Sequence, residues 1–340
     1  MGLLSFALRG SYKRYWNNLK DLSKKVNKKP LSMFIDTCFC TLFTGSGMQD
    51  YLNYKFYEKS WKERKEYATI GYQAKFYKKT ASIEYAPFFS NKINFHKNFK
   101  KFVKRECVSY EDGFDKVEKF IKDRDAIVVK PISGLGGGGV RKVETKTIKD
   151  LNKFYEDLKD NNEFIEELVI QNKDWDKLNP GSINTLRVYT YALNGKSRIL
   201  YACSRIGSSD AIVDNFHSGG VGVLVDVEKG CLVGKAINKA NEESEVTPRT
   251  KVKVDGYKIP MWDEVKKMVL EAALVNDKVN IVGWDVALSD KGPLLIEGNR
   301  GPGWDLPQVL LGRGVKKELE EIKKEVKGSK KWLRLLEKYY

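Results

Sequence analysis

The sequence predicts an α+β fold: two α+β subdomains preceded by a helical N-terminal region. Three observations predict it. Residues 1–82 carry aromatics at roughly helical spacing with few turn signals. From about residue 83, short valine- and isoleucine-rich runs alternate with glycines and charged helical stretches. Several of those runs are joined by hairpin turns, Asn194-Gly195 above all, which argues for antiparallel pairing rather than a doubly wound parallel sheet.

Taken in order, the aromatics Tyr51, Tyr54, Phe56 and Tyr57, and those across 61–77, read as core. The apolar stretch 31–43 is too short to cross a membrane and carries Asp36, so it reads as a buried helix. Residues 126–131 form a buried strand ended by Pro131. A glycine loop over 133–139 follows, then a return strand at 140–143, a helix over 147–158 and a strand over 164–171. Residues 186–192 pair with 198–205, and 221–227 with 231–236 across Glu228-Lys229-Gly230. An amphipathic helix over 261–274 is opened by Pro260. Strands at 281–288 and 294–297 meet through a short polar turn. A basic helix over 315–340, broken near Gly328, ends the chain. The division expected is a helical region 1–82, a subdomain 83–165 with the glycine loop, a subdomain 166–312 with the metal site, and the basic helix 313–340.

The 340 residues carry a formal charge of +16, part of it in tracts at 13–29, 92–105 and 316–338. Such an excess suits polyanions: nucleotide phosphates, sugar-phosphate carriers, acidic polysaccharide, an anionic membrane face or nucleic acid. Solvated lysine-rich helix faces are the plainer reading of each tract. No run of 18 uninterrupted apolar residues occurs. Arg9, Lys13 and Arg14 stand where a signal peptide needs an apolar stretch, and Phe6 where myristoylation needs Ser or Thr. Five cysteines with no CxxC pair suit free thiols in a reducing cytosol. A cytoplasmic location is expected, with association at a membrane surface as an addition.

Two groups of residues carry chemistry. Lys130 ends a strand and precedes Ser133-Gly134-Leu135-Gly136-Gly137-Gly138-Gly139. Glycines let backbone N–H groups approach phosphate oxygens, and the strand lysine adds a fixed charge. Lys130 precedes the glycines and no Gly-Lys-Ser/Thr follows, so this is not a Walker loop. A ligand-free flexible hairpin is the bland alternative. The second group is Asp285, Glu297 and Asn299. Glu297 and Asn299 are two apart and share a strand face, with Asp285 on the neighbouring strand. Carboxylate and amide oxygens suit Mg²⁺. Strand-end charge with an asparagine turn is the alternative.

His96 lies in a basic helix and reads as a surface residue. His217 sits in a polar glycine turn beside Asp214 and Asn215, as an acceptor-binding or proton-transfer group or as a backbone cap. No cysteine nucleophile, serine elbow or zinc pattern is present. Nucleic acid is not expected as a partner, because no matching signature accompanies the charge.

These motifs together resemble the ATP-grasp superfamily, in its sugar-transfer-associated, polysaccharide-biosynthesis branch. The resemblance covers residues 45–312 and also rests on Glu166-Glu167-Leu168-Val169-Ile170-Gln171, Asn184-Thr185-Leu186-Arg187, Asp214 through Gly220, Gly283-Trp284-Asp285, and Gly301-Pro302-Gly303-Trp304-Asp305. It implies an ATP-grasp fold whose two subdomains clasp ATP. Lys130 and Lys92 would contact phosphates, and the loop Ser133, Gly134, Gly136, Gly137 and Gly138 would close over them. Glu166, Glu167 and Val169 would form the hinge that reads adenine, with Gln171 nearby. Asp285, Glu297 and Asn299 would hold one or two Mg²⁺, with Mn²⁺ as an alternative ion. Arg187 and Arg205, with His217, would serve the transferred phosphate or the acceptor. Asn184, Asp214 and Asn215 would meet the substrate; Trp304 and Asp305, which follow the metal motif, would meet the acceptor or fix the loop. Asn172 stands where relatives commonly carry His, so no role is placed there.

The activity implied is ATP-dependent carboxylate–amine ligation through an acyl phosphate, with ATP spent to ADP and phosphate. The partners are a small carboxylate and an amine, on a nucleotide-linked or lipid-linked sugar in capsule or exopolysaccharide assembly. Two alternatives stay open: a sugar kinase on the same fold, and a nucleotide-binding accessory protein of a glycan assembly complex.

Overall fold

The computed structural model describes residues 12–81, 83–134, 138–208, 219–276 and 278–339. The chain divides into two compact units, Met1–Thr80 with Gly303–Tyr340, and Ala81–Pro302.

The first unit begins with α1 (Tyr12–Lys25), α2 (Pro30–Thr44), α3 (Met48–Asn53), α4 (Trp61–Arg64) and α5 (Ile70–Thr80). Local chemistry sets several ends. Pro30 starts α2, and Gly45 at φ +67° stops it. Ser60 and Glu63 cap α4 reciprocally: the Glu63 amide donates to Ser60 Oγ at 3.3 Å, and the Ser60 amide to Glu63 Oε2 at 2.7 Å. Tyr15, Leu19, Met33, Tyr51, Tyr54, Phe56, Tyr57 and Tyr67 form one apolar cluster, as the aromatic spacing predicts.

One expectation fails here. Helix α2 is not buried: Met33, Thr37 and Cys40 face the core, while Leu31, Ile35, Phe39, Leu42 and Phe43 are exposed. Asp36 is explained by buried Arg64, which grips it with Nη1–Oδ1 at 2.6 Å and Nη2–Oδ2 at 2.9 Å.

The second unit starts with α6 (Ala86–Ser90), α7 (Lys92–Asn98) and α8 (Lys100–Val103). A four-stranded sheet follows, built from β1 (Cys107–Ser109), β2 (Ala126–Pro131), β3 (Arg141–Glu144) and β4 (Glu163–Glu167), with α9 (Phe114–Lys122) and α10 (Leu151–Asp160) between them. Its order is β1-β4-β2-β3, all antiparallel. Val117, Phe120 and Leu158 pack on Ile127, Val129 and Ile165, covering one face with the two helices. Helix α10 starts at Leu151 rather than 147, because the Asp150 carboxylate caps the Lys153 amide at 2.9 Å. Strand β4 ends at Glu167, short of the 171 expected; Gln171 keeps only a bridge to Ser289.

After α11 (Lys173–Asp176) comes a seven-stranded antiparallel sheet. Its strands are β5 (Thr185–Leu193), β6 (Lys196–Ile206), β7 (Val221–Asp226), β8 (Cys231–Asn238), β9 (Glu243–Ser244), β10 (Ile281–Ser289) and β11 (Gly292–Asn299). The order is β11-β10-β5-β6-β7-β8-β9. Asn194 and Gly195 both have positive φ, 50° and 72°, as the two-residue hairpin turn requires. Helix α12 (Trp262–Ala273) is preceded by Met261 in the left-handed region, so Pro260 lies outside it rather than at its first turn.

The chain closes in the first unit with α13 (Asp305–Leu311) and α14 (Lys316–Tyr339). Leu319, Ile322 and Val326, with Val315 just before the helix, form its buried stripe. Helix α14 runs unbroken through Gly328. A single glycine costs only about 1 kcal/mol in a helix, too little to end one anchored by such a stripe.

Candidate active site

The second unit gathers most of the expected site. On β2, Val128 stands opposite Glu166 of β4, and Lys130 opposite Phe164. Lys130 and Glu166 are therefore diagonal neighbours on one sheet face, and their side chains form an ion pair. Glu166 is buried and has two further partners: His96 Nε2 at 2.9 Å and Arg105 Nη2 at 3.2 Å. Burial alone pushes this carboxyl up. Arg105, Lys130 and His96 outweigh it and hold the group well below the usual carboxylate range. Glu166 lies inside the sheet with β1 on one side and β2 on the other, so its side chain, not its backbone, is what it brings to the site.

His96 corrects the sequence reading. It is buried rather than at the surface, because Glu166 needs buried donors. No sequence motif marks Arg105. It joins the sheets, with Nη1 donating to the Leu295 carbonyl of β11 at 2.9 Å and Nη2 to Glu166 of β4. The available signal was a buried strand carboxylate whose partners had to come from elsewhere in the chain.

Lys92 opens α7, where Asn91 Oδ1 caps the Asn94 amide at 3.0 Å. Its amide donates to the Ile132 carbonyl at 2.9 Å, and its Nζ to the carbonyls of Pro131 (3.1 Å) and Gly134 (3.3 Å). It thus holds the start of the glycine loop. Burial lowers its pKa; Glu297 opposes that, and Lys130 adds to it. Ser133, Gly134 and Gly138 are exposed. Gly134 and Gly139 take positive φ, 130° and 78°. Gly136 and Gly137 lie outside the described residues.

On the larger sheet, Asp285 of β10 pairs directly with Glu297 of β11, next to a bulge. Their carboxyl groups are hydrogen-bonded, and Asn299 Nδ2 donates to Glu297 Oε1 at 3.1 Å. Arg187 stands opposite Asp285 on β5. Its Nε and Nη2 fork onto the two Asp285 oxygens, the latter at 2.9 Å, and Arg205 Nη1 reaches Oδ2 at 3.3 Å. Burial raises Asp285, but Arg187 and Arg205 win and hold it at about 2. Burial and the neighbouring Asp285 raise Glu297. Two carboxyl groups in contact need a proton or a cation between them. Two carboxylates and an amide form a hard-oxygen donor set, so these residues fit Mg²⁺, which when bound would screen phosphate charge.

Lys92 connects the groups. A Cβ on Gly298, between Glu297 and Asn299, would lie 3.0 Å from Phe95 of α7, the helix that Lys92 opens, so the loop start and the acid–acid–amide trio meet at one helix.

Other expected residues lie differently. Asn184 is fully buried: Nδ2 donates to the Trp175 and Asn179 carbonyls, both at 3.2 Å, and its amide to Gln171 Oε1 at 2.6 Å. Gln171 Nε2 donates to Asp176 Oδ1 at 2.8 Å. Both residues tie the turn before β5, so neither Asn184 as a substrate contact nor Gln171 as a nucleotide contact fits this placement. Glu167 pairs with Arg124 at 2.8 Å and accepts the Glu106 amide at 2.9 Å. Val169 is half-buried, just past β4. Trp304 is fully buried in the first unit, where core packing replaces the expected acceptor contact, and Asp305 opens α13 there. His217, Asp214 and Asn215 lie outside the described residues. Asn172 caps α11 through its Oδ1, with the Asp174 amide at 3.0 Å.

Solved structures align with parts of this chain. The D-alanine-D-alanine ligase from Coxiella burnetii aligns at 12% identity and a TM-score of 0.47, over 76% of this chain and 63% of its own. The ATP-grasp ligase PsnB with minimal precursor, Mg and ADP aligns at 15% and 0.41, over 73% and 62%. Phosphoribosylamine–glycine ligase from Thermotoga maritima aligns at 13% and 0.41, over 65% and 50%. The chain thus spans less than two thirds of the length of each. No curated protein matches it. The family description "Sugar-transfer associated ATP-grasp" matches residues 71–324, about three quarters of the sequence and all of the second unit. The chain belongs to the sugar-transfer associated ATP-grasp family.

Proposed function

We propose that this chain is an ATP-dependent carboxylate–amine ligase that activates its carboxylate as an acyl phosphate. The observation that carries the reading is Lys92. It binds the start of the glycine loop from α7, the helix whose Phe95 packs against Gly298 between Glu297 and Asn299, so the phosphate loop and the trio meet at one helix.

In this reading Lys92, Lys130 and the loop residues Ser133, Gly134 and Gly138 hold the phosphates, and Glu167 to Val169 border adenine. Glu166 fixes Lys130 rather than touching nucleotide. Asp285, Glu297 and Asn299 hold Mg²⁺, and Arg187 fixes Asp285. Arg205, half-buried with one nitrogen on Asp285, would serve the transferred phosphate or the acceptor. The substrate carboxylate oxygen attacks the γ-phosphorus and ADP leaves. The amine nitrogen then attacks the acyl carbon, phosphate leaves, and the amine loses a proton. Charge neutralisation and positioning suffice for both steps, with no protein nucleophile. Holding the acyl phosphate beside the amine contributes roughly 7–11 kcal/mol by proximity. The family's association with sugar transfer supports a hexuronic acid or an aminoacyl sugar as the acceptor, in capsule or exopolysaccharide assembly.

The test is an ADP-release screen over uronic acids, amino acids and amines, with product masses measured. ADP and phosphate formed only when carboxylate and amine are both present, with an amide mass, is the expected result. A phosphorylated sugar replaces the reading with a kinase, and nucleotide binding without turnover replaces it with an accessory role.

A further inference from the structure

Helix α2 is apolar on both faces. Met33 and Cys40 enter the core of the first unit, yet the opposite side presents Leu31, Ile35, Cys38, Phe39, Leu42 and Phe43 to solvent. Residues 31, 35, 38 and 42 fall on one helical stripe. Leu42 and Phe43 are 70% and 69% exposed. Phe39 stacks on Phe43, with centroids 6.3 Å apart, and Phe43 meets half-exposed Trp61 edge-on at 6.0 Å. A helix apolar all round is normally covered on every side, and a contiguous exposed patch of this kind marks an interaction surface.

The surrounding charge selects the occupant. Exposed Lys28 and Lys29 lead into α2, and exposed Lys62 and Lys65 flank Trp61. Residues 12–80 hold fifteen lysines and arginines against six acids. Of those six, Asp36 is paired with Arg64 and Asp50 is buried. A second copy docked on this face would bring the same lysine-dense rim against itself. An anionic bilayer offers the opposite sign together with an apolar interior. A Trp at the edge of an apolar stripe flanked by lysines is the pattern of a helix lying in a membrane interface. No helix among the described residues is long and apolar enough to cross a membrane.

We propose that α2 and Trp61 form an interfacial docking surface that seats the first unit on anionic lipid, with Leu42, Phe43 and Trp61 entering the acyl boundary. This is separate from the ligase reading and is tested without turnover.

The full chain, with Cys107 replaced by serine and an environment-sensitive dye on exposed Cys38, is mixed with phosphatidylcholine vesicles with and without phosphatidylglycerol. The expected result is flotation with the anionic vesicles, a blue shift of the dye, and weakening by salt. Leu42→Ser/Phe43→Ser lowers partitioning by about tenfold without lowering the thermal unfolding midpoint, because both side chains are exposed. Lys29→Gln/Lys62→Gln also lowers it. Unchanged partitioning in the Leu42/Phe43 variant overturns the proposal. So does a dimer that this variant dissolves in the absence of vesicle binding. A dye already in apolar surroundings without lipid, and exposed on deletion of residues 1–11, overturns it as well.

Discussion

Asp285 and Glu297 face each other across β10 and β11 with their carboxyl groups hydrogen-bonded, and Arg187 and Arg205 both bind the first of them. The arginines keep Asp285 anionic while its charge and burial push the proton toward Glu297. In the proposed ligase, Mg²⁺ would take the place of that proton. Glu297→Gln keeps the hydrogen bonds and removes that option. ADP release is expected to fall by at least about a hundredfold, with the unfolding midpoint nearly unchanged. Full activity in this variant ends the metal assignment.

Glu166 is expected to matter for stability as well as for the position of Lys130. Arg105, Lys130 and His96 hold its folded pKa well below the ordinary glutamate value, so the unfolded chain binds the proton more readily. Its stabilising contribution is therefore fully present above that value and lost as pH falls below it. Glu166→Gln leaves Arg105 and Lys130 without their anion and is expected to cost about 3–5 kcal/mol at neutral pH. The gap between variant and parent should narrow in acid. Urea unfolding across that range measures both, and a gap independent of pH contradicts the assignment.

Two glycines in one loop should behave differently. An added Cβ at Gly139 would sit 2.9 Å from Pro131 Cγ at φ +78°, whereas one at Gly138 meets nothing within 4 Å. Gly139→Ala is expected to cost about 1–2 kcal/mol and to raise KM for ATP. Gly138→Ala should leave stability within about 0.5 kcal/mol. Equal effects from the two contradict this loop geometry.

Arg187 holds Asp285 by a fork that lysine cannot reproduce. Arg187→Lys is expected to lower kcat/KM by about tenfold while the protein stays folded. Arg187→Met should also lower the unfolding midpoint, because a buried carboxylate loses its main counter-charge. If lysine restores full activity, the fork is dispensable.

Parts of the candidate site's geometry were legible from short stretches of chain. A strand ending in Lys130-Pro131 with glycines behind it fixes both the hairpin and its charge. Glu297 and Asn299 share a face because a strand repeats every two residues. The Asn194-Gly195 turn pins the β5–β6 register. Asn184 and Gln171 were misplaced because a polar residue in a motif looks the same whether it meets a ligand or a buried carbonyl. Helix α2 was misjudged for a related reason: composition reports that a helix is apolar, not which side is covered.

The sequence by itself determined the α+β class, the hairpins, the lysine–glycine loop and the acid–acid–amide trio, since each follows from steric and periodic rules acting over a few residues. Tertiary structure decided that His96 and Arg105 surround Glu166, that two arginines grip Asp285 and that one face of α2 stays bare. Those outcomes depend on the pairing of segments tens of residues or more apart, where the demand of a buried charge for a partner selects among many candidates that local sequence cannot rank.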